Sequence, residues 1–239
     1  MLRQLIIVVA TIFSTFAANN ELTPDEKQAG WKLLFDGKTT TGWRSFNKKE
    51  FPAKGWKVEE GELRLEGGSK AGDIVTEEKF SDFDLTWEWK IPAGANNGVK
   101  YFILEERGEA IGHEYQMIDE TDGKKIADKH RTASFYEVLP PAKDKPIKAP
   151  GEWNTSRVLV QGNHVEHWLN GKKMLEYELG SEEVLKAVQQ SKFKNVDGFG
   201  KKQNGRILLT YHNDPVSYRN IKIRNLAKSL PPPANLRIQ

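Results

Sequence analysis

A chain of 239 residues, with 29 % charged side chains and seven tryptophans, has the composition of one well-cored globular domain and excludes a disordered protein. The formal net charge is only +3, with Lys and Glu interspersed, so the concentrated basic face that nucleic acid requires is missing. No cysteine occurs, which excludes disulfides, thiol chemistry and a lipidated N-terminal cysteine.

The first residues speak to compartment. Met1 to Gln4 is a short basic start, Leu5 to Phe16 is an apolar run, and Ala17 and Ala18 are small. This is the layout of a secretory signal peptide over residues 1–17, with cleavage after Ala17. The apolar run is too short to span a bilayer comfortably. The mature protein is therefore expected to be exported, periplasmic or secreted, with no membrane association after cleavage.

A polar leader (19–30) precedes a first strand at Trp31 to Phe35, closed by a turn at Asp36-Gly37. Trp43 to Phe46 reads as strand or loop. Trp56 to Glu59 and Glu62 to Glu66 alternate around Glu60-Gly61, a hairpin signal. Asp73 to Thr76 is a short strand. Phe83, Leu85, Trp87, Trp89 and Ile91 alternate with polar residues, the cleanest period-two run in the chain. Val99 to Glu105 answers it, apolar on both faces except for Lys100. Ile111 to Ile118 follows, then a polar loop, a short Ser134 to Leu139 strand and a Pro/Lys-rich loop.

A meander of three strands runs from Trp153 to Glu178, with the type I′ dipeptide Asn170-Gly171 in its second turn. Glu182 to Phe193 reads as a helix with Ser181 as N-cap. Arg206 to Tyr211 and Tyr218 to Leu226 are the last strands, and Pro231 to Pro233 cannot join a ladder. Many short strands, one short helix and no βαβ alternation argue for an all-β, antiparallel β-sandwich. One domain is expected over residues 30–226, with a Pro-rich tail at 227–239.

Chemistry concentrates at Gly112 to Asp119. On a strand, Glu114, Gln116 and Ile118 share one face, with His113, Tyr115 and Met117 on the other. A carboxylate beside a carboxamide suits a hydroxyl-rich ligand; a solvated sheet edge is the alternative. His164 and His167 have an odd separation, so they point to opposite faces and make a poor metal pair. No cofactor is expected, and a divalent cation held by loop oxygens stays open. Nucleophile elbows and glycine-rich phosphate loops are absent from the sequence. An ordinary glycosidase needs two carboxylates. Sandwich glucanases carry theirs as Glu-x-Asp-x-(x)-Glu, whereas here Gln116 stands in the second acid's place and Asp119 points away. The groove is thus expected to hold one carboxylate.

Several motifs together resemble a known family. They are Gly30 to Gly37, Gly42-Trp43, Asn96-Asn97-Gly98-Val99-Lys100-Tyr101, Glu114 to Asp119, His130-Arg131-Thr132, Gly162 to Gly171, and His212 to Val216 through Arg219 to Arg224. In order, over about residues 30 to 226, they resemble the 3-keto-disaccharide hydrolase family. The resemblance implies a jelly roll similar to concanavalin A-like lectins and glucanases, exported by bacteria that degrade glycans. The implied activity is cleavage of glycosides whose sugar carries a ketone at C3. One departure is visible: the family reads Asp-His-Gly where this chain has Tyr211-His212-Asn213.

Such a substrate fits a groove with one carboxylate. A C3 ketone acidifies the C2 proton, so one base can remove it and the C1 substituent can leave by elimination, after which water adds. On this reading Glu114 is the base and His212 handles the leaving-group proton. Gln116 positions a hydroxyl, and Lys100 or Arg131 stabilises the enolate. His167 and Asn97 are candidate substrate contacts, and Trp43 a stacking platform. The partner is a carbohydrate. A lectin-like binding module on the same sandwich is the competing reading.

Overall fold

Thirteen strands and two helices organise the described residues, 18–121 and 123–227 of a computed structural model. The expected signal peptide lies outside the described residues, as does the expected tail apart from Ala227. In chain order the elements are α1 (Pro24–Gln28), β1 (Trp31–Leu33), β2 (Trp43–Ser45), β3 (Trp56–Glu59), β4 (Glu62–Leu65), β5 (Ile74–Phe80), β6 (Phe83–Lys90), β7 (Asn96–Ile103) and β8 (His113–Ile118). They continue with β9 (Asn154–Gln161), β10 (His164–Leu169), β11 (Lys172–Glu178), α2 (Glu182–Gln189), β12 (Gly205–Leu209) and β13 (Val216–Asn225).

The first sheet has the order β11-β10-β9-β6-β13-β4-β3, with β1 also on β13; the second has the order β2-β5-β12-β7-β8. Every pairing is antiparallel. The two sheets stack as a jelly-roll sandwich. The period-two run does what its pattern dictates: Phe83, Leu85, Trp87 and Trp89 are all fully buried between the sheets. Each such side chain contributes roughly 1.5–3 kcal/mol by leaving water.

Polar groups cross the same interior. Trp89 Nε1 donates to Ser156 Oγ at 2.8 Å, Ser156 Oγ donates to Tyr115 Oη at 2.8 Å, and Tyr115 donates to the Trp168 carbonyl at 3.0 Å. His167 Nδ1 lies 3.1 Å from the Ala133 carbonyl, which can only accept, so that nitrogen carries the proton. His167 Nε2 then accepts from Tyr101 Oη at 3.0 Å, and Tyr177 Oη completes the chain. These links join β7 and β8 of one sheet to β9, β10 and β11 of the other.

Three expectations change. The strand expected at Ser134 to Leu139 is irregular, because Ala133 and Glu137 have φ of 71° and 69°; isolated bridges join Phe135 to Tyr115 and to Leu139. The helix expected to reach Phe193 ends at Gln189. Ser191 Oγ donates to the Val188 carbonyl at 2.7 Å and accepts from Phe193 N, drawing the backbone out of the helix. The polar leader contains α1, closed by a Thr23/Glu26 capping box with Pro24 in the first turn, so the sandwich carries two short helices.

The second strand face of β7 also differs. Between the pairs Arg206↔Ile103 and Leu208↔Lys100 the register slips, so Tyr101 and Phe102 together oppose Ile207. Phe102 adopts φ 60° and turns into the main core beside Tyr101. Ile103 packs instead with Val75 and Leu208 in a separate cluster. A β-carbon at Gly205 would fall 2.5 Å from the Phe102 backbone, so the bulge requires glycine there.

Two histidines are buried neutral. Burial lowers His167 to about 4 and His113 to about 3; His113 Nε2 accepts from Gly200 N at 3.0 Å and its Nδ1 has no partner. Unfolded histidine titrates near 6.5, roughly, so between those values and ~6.5 the unfolded chain binds more protons than the folded one. Stability is therefore full above pH ~6.5 and falls as pH drops, by on the order of 2 kcal/mol per histidine at pH ~5. Urea unfolding at pH 7 and pH 5 should show the loss, and His167→Gln should remove about half of it.

Candidate functional site

The outer face of β8 presents Glu114 and Gln116, while His113, Tyr115 and Met117 are sealed between the sheets. Strand β7 places Lys100 opposite Glu114 and Gly98 opposite Gln116. The Glu114 side chain leans diagonally over Gly98: a β-carbon at that position would fall 2.2 Å from Oε1. Glycine is thus what allows the carboxylate to lie on the sheet floor.

Two basic side chains flank that carboxylate. Lys100 Nζ is 3.8 Å from Oε2 and donates to the Ala110 carbonyl at 3.1 Å, which fixes its tip. His212 Nε2 is 3.7 Å from Oε1. All three border a cleft of about 440 Å³ that continues past Ile111, Tyr136, Lys192, Phe193 and Val196. A base, an ammonium and an imidazole converge at one end, the kit for removing a proton next to a carbonyl.

The cleft is lined by two carboxylates where one was expected, Glu114 and the exposed Glu109, and a further one, Asp73, lies outside the lining but within electrostatic range of Glu114, Lys100 and His212. Asp73, just before β5, accepts from Tyr211 N at 2.6 Å. Its carboxyl is raised by burial, partly countered by that bond and by Lys100 and His212, while the Glu114 charge raises it further. No sequence spacing announces Asp73, since it reaches the site across the sheet from a turn 41 positions away from Glu114 (114 minus 73). Asp119 is tied up in a turn, accepting from Gly94 N at 2.7 Å and Thr121 N at 2.8 Å.

Other expected site residues lie elsewhere. Trp43 is a core residue, its indole donating to the Leu34 carbonyl at 2.6 Å, so it offers no platform to a sugar. His167 is fully buried between the sheets in the chain described above and cannot touch substrate. Asn97 is buried, accepting from Thr210 Oγ1 at 2.9 Å. Arg131 pairs with Glu120 at 2.9 Å and Asp128 at 3.2 Å, bordering a different cavity with Lys145. Gln116 is on the outer face but buried, donating to Asn96 Oδ1 at 2.8 Å; it braces β7 against β8 beside Glu114.

Another cleft of about 430 Å³ lies over β3, β4 and β13. Its lysines are already paired, Lys57 with Glu66 at 3.0 Å and Lys90 with Glu62 at 3.4 Å. Among the described residues, potential metal ligands converge at His164, Glu166 and Glu176 on the first sheet, within 4.8 Å of one another. There the Lys173 ammonium already binds Glu176 and lies 3.4 Å from Glu166. In the Glu114 cleft, Lys100 supplies the positive charge.

This is a jelly-roll sandwich with a charged cleft on the outer face of its smaller sheet. The chain belongs to the 3-keto-alpha-glucoside-1,2-lyase-like domain family, whose pattern it matches over residues 30–224. It is 33 % identical over 233 residues to a 3-keto-disaccharide hydrolase of Bacteroides thetaiotaomicron, covering 82 % of this chain and 79 % of the relative. Two solved structures of candidate glycosyl hydrolases from Parabacteroides distasonis are similar. One has TM-score 0.78 and 35 % identity, covering 87 % of this chain and all of the other; the second has TM-score 0.67 and 25 % identity, covering 82 % and 99 %.

The departure at Tyr211-His212-Asn213 has a structural answer. Asn213 adopts φ 67°, the left-handed conformation glycine favours and asparagine tolerates, and its Oδ1 accepts from Tyr211 Oη at 2.8 Å. Asn213→Gly should therefore keep both fold and His212 position, whereas Asn213→Val should lose about 1–2 kcal/mol. Thermal unfolding of both variants checks this.

Proposed function

We propose that the protein is a glycosidase-like enzyme that cleaves 3-keto-glycosides by C2 deprotonation and elimination, followed by hydration. The observation that carries the reading is the Glu114 carboxylate held over Gly98 between Lys100 and His212. The family and its 33 % identical relative support the substrate class.

Glu114 takes the C2 proton, and the electron pair moves toward the C3 oxygen, where the Lys100 ammonium offsets the developing charge. The pair then returns to form the C1–C2 double bond as the C1–O bond breaks. The leaving oxygen takes a proton from His212. Water adds across the double bond, oxygen to C1 and hydrogen to C2, so the net change is hydrolysis without an external oxidant or reductant. Gln116 holds the strand beside the base. The expected signal peptide would deliver the enzyme to the periplasm or medium, where glycans are met.

A 3-keto-glucoside with a chromogenic leaving group, run beside its unoxidised parent, tests the reading. Release from the keto form alone is expected, falling by about 1,000-fold in Glu114→Gln as the base is lost. Release from neither, with measurable sugar binding, would make the protein a carbohydrate-binding module. Gly98→Ala should fold and bind sugar but lose on the order of 100-fold in kcat, because the new methyl displaces the carboxylate by an ångström or more. With Lys100 as electrophile, dialysis against EDTA should leave the rate within about twofold; a loss restored by a divalent cation would give the enolate to a metal held by Glu114 and His212.

A further inference from the structure

The far half of the cleft has a character unlike the catalytic end. Ile111, Phe193 and Val196 are half-buried there and packed against the main core, and Phe193 stacks on Phe199 with centroids 4.2 Å apart. Tyr136 forms the facing wall. The Lys192 ammonium sits 4.5 Å from the Tyr136 ring centroid, 5.2 Å from that of Phe193 and 3.4 Å from Tyr136 Oη. Among the described residues no carboxylate lies within ion-pair distance of it. Glu109 stands exposed in the lining near Ala110.

With a sugar's C2 hydrogen at Glu114, this half is the part of the cleft that continues beyond the reacting end and has room for a C1 substituent. A second sugar ring there would set several hydroxyls against Ile111, Phe193 and Val196, which offer no donors or acceptors. A flat aromatic ring, in contrast, finds aromatic and aliphatic surface on both sides. The ammonium, positioned by two aromatic faces and the Tyr136 hydroxyl and lacking a carboxylate partner, adds complementarity to an anionic substituent on that ring. We infer that the Ile111–Tyr136–Phe193 half of the cleft is a leaving-group subsite for an aromatic aglycone bearing a carboxylate, which Lys192 binds. This deepens the 3-keto-glycoside reading and rests on it. The reaction keeps the balance given above, the aglycone leaving as its alcohol.

Three 3-keto-glucosides whose leaving groups are all primary alcohols test it: benzyl alcohol, 4-(hydroxymethyl)benzoate, and glucose through its 6-hydroxyl. Matching the alcohol class keeps leaving-group basicity from deciding the outcome. The expected order of kcat/KM is carboxybenzyl, then benzyl, then glucose, each step about 10-fold. Phe193→Ala should lower both benzyl substrates about 10-fold more than it lowers the glucose substrate. Lys192→Gln should erase the carboxylate's advantage alone. Equal rates for the three substrates, or a preference for glucose, would overturn the subsite while leaving the 3-keto-glycoside reading intact. Ligand-observed NMR with free 4-(hydroxymethyl)benzoate reads the subsite without turnover. Binding that is lost in Phe193→Ala, with none of the substrates cleaved, would keep the subsite and defeat the proposed reaction; no binding to the native protein would defeat the subsite.

Discussion

The hydroxyls and the imidazole that cross the sandwich interior fix how its two sheets lie on one another. Apolar packing alone is indifferent to small slides, whereas Tyr101, Tyr115 and His167 must each find their partner at hydrogen-bond distance. Two of the three sit on the β7–β8 hairpin, on alternate positions from Lys100 and Glu114. Because strand side chains alternate, a one-residue slip would carry Tyr115 to the surface and Glu114 into the interior. The bonds that hold Tyr101 and Tyr115 inward therefore also hold Lys100 and Glu114 outward. His167, which the motif suggested as a substrate contact, serves the site from behind the sheet.

The cleft balances its charges. Lys100 and His212 face the Glu114 carboxylate, and Asp73, just before β5 and separated from β7 by β12, adds its charge from outside the lining. With Lys100 and His212 both beside Glu114, adding or removing a proton during a reaction leaves no isolated charge on the sheet, the costly case in a partly buried setting. Asp73 is set back, bonded to the Tyr211 backbone rather than aimed along the cleft. That geometry differs from the paired carboxylates of an ordinary glycosidase, which flank the scissile bond from opposite sides.

Much of this was legible in the sequence where one strand's own periodicity governs. The Phe83 to Ile91 alternation foretold a buried face, and the Glu114/Gln116 pairing foretold a shared outer one. Failures arose where a contact between distant segments overrides local pattern. Phe102 looks like a partner of Lys100 until the bulge against Ile207 turns it inward. Trp43 looks exposed until the Leu34 carbonyl claims its indole, and Arg131 looks available until Glu120 does the same. Asp73 could not be assigned to the site without knowing that β5 lies in the same sheet as β7. The Thr23-Pro24-Asp25-Glu26 capping signature, by comparison, stood in plain view as a local signal for α1.

The β8 strand lies at the margin of its sheet, yet its outer edge is occupied. Ala133 N donates to the Gln116 carbonyl at 2.9 Å and Tyr136 N to the Glu114 carbonyl at 3.0 Å, from a segment that two left-handed residues keep irregular. An open margin would invite strand addition by another chain, the usual route to amyloid-like stacking. Here those bonds occupy the outer edge of β8, and the covering segment bends away before it can act as a template in turn. The strand that carries Glu114 can thus lie at a border without that border becoming a seed for self-association.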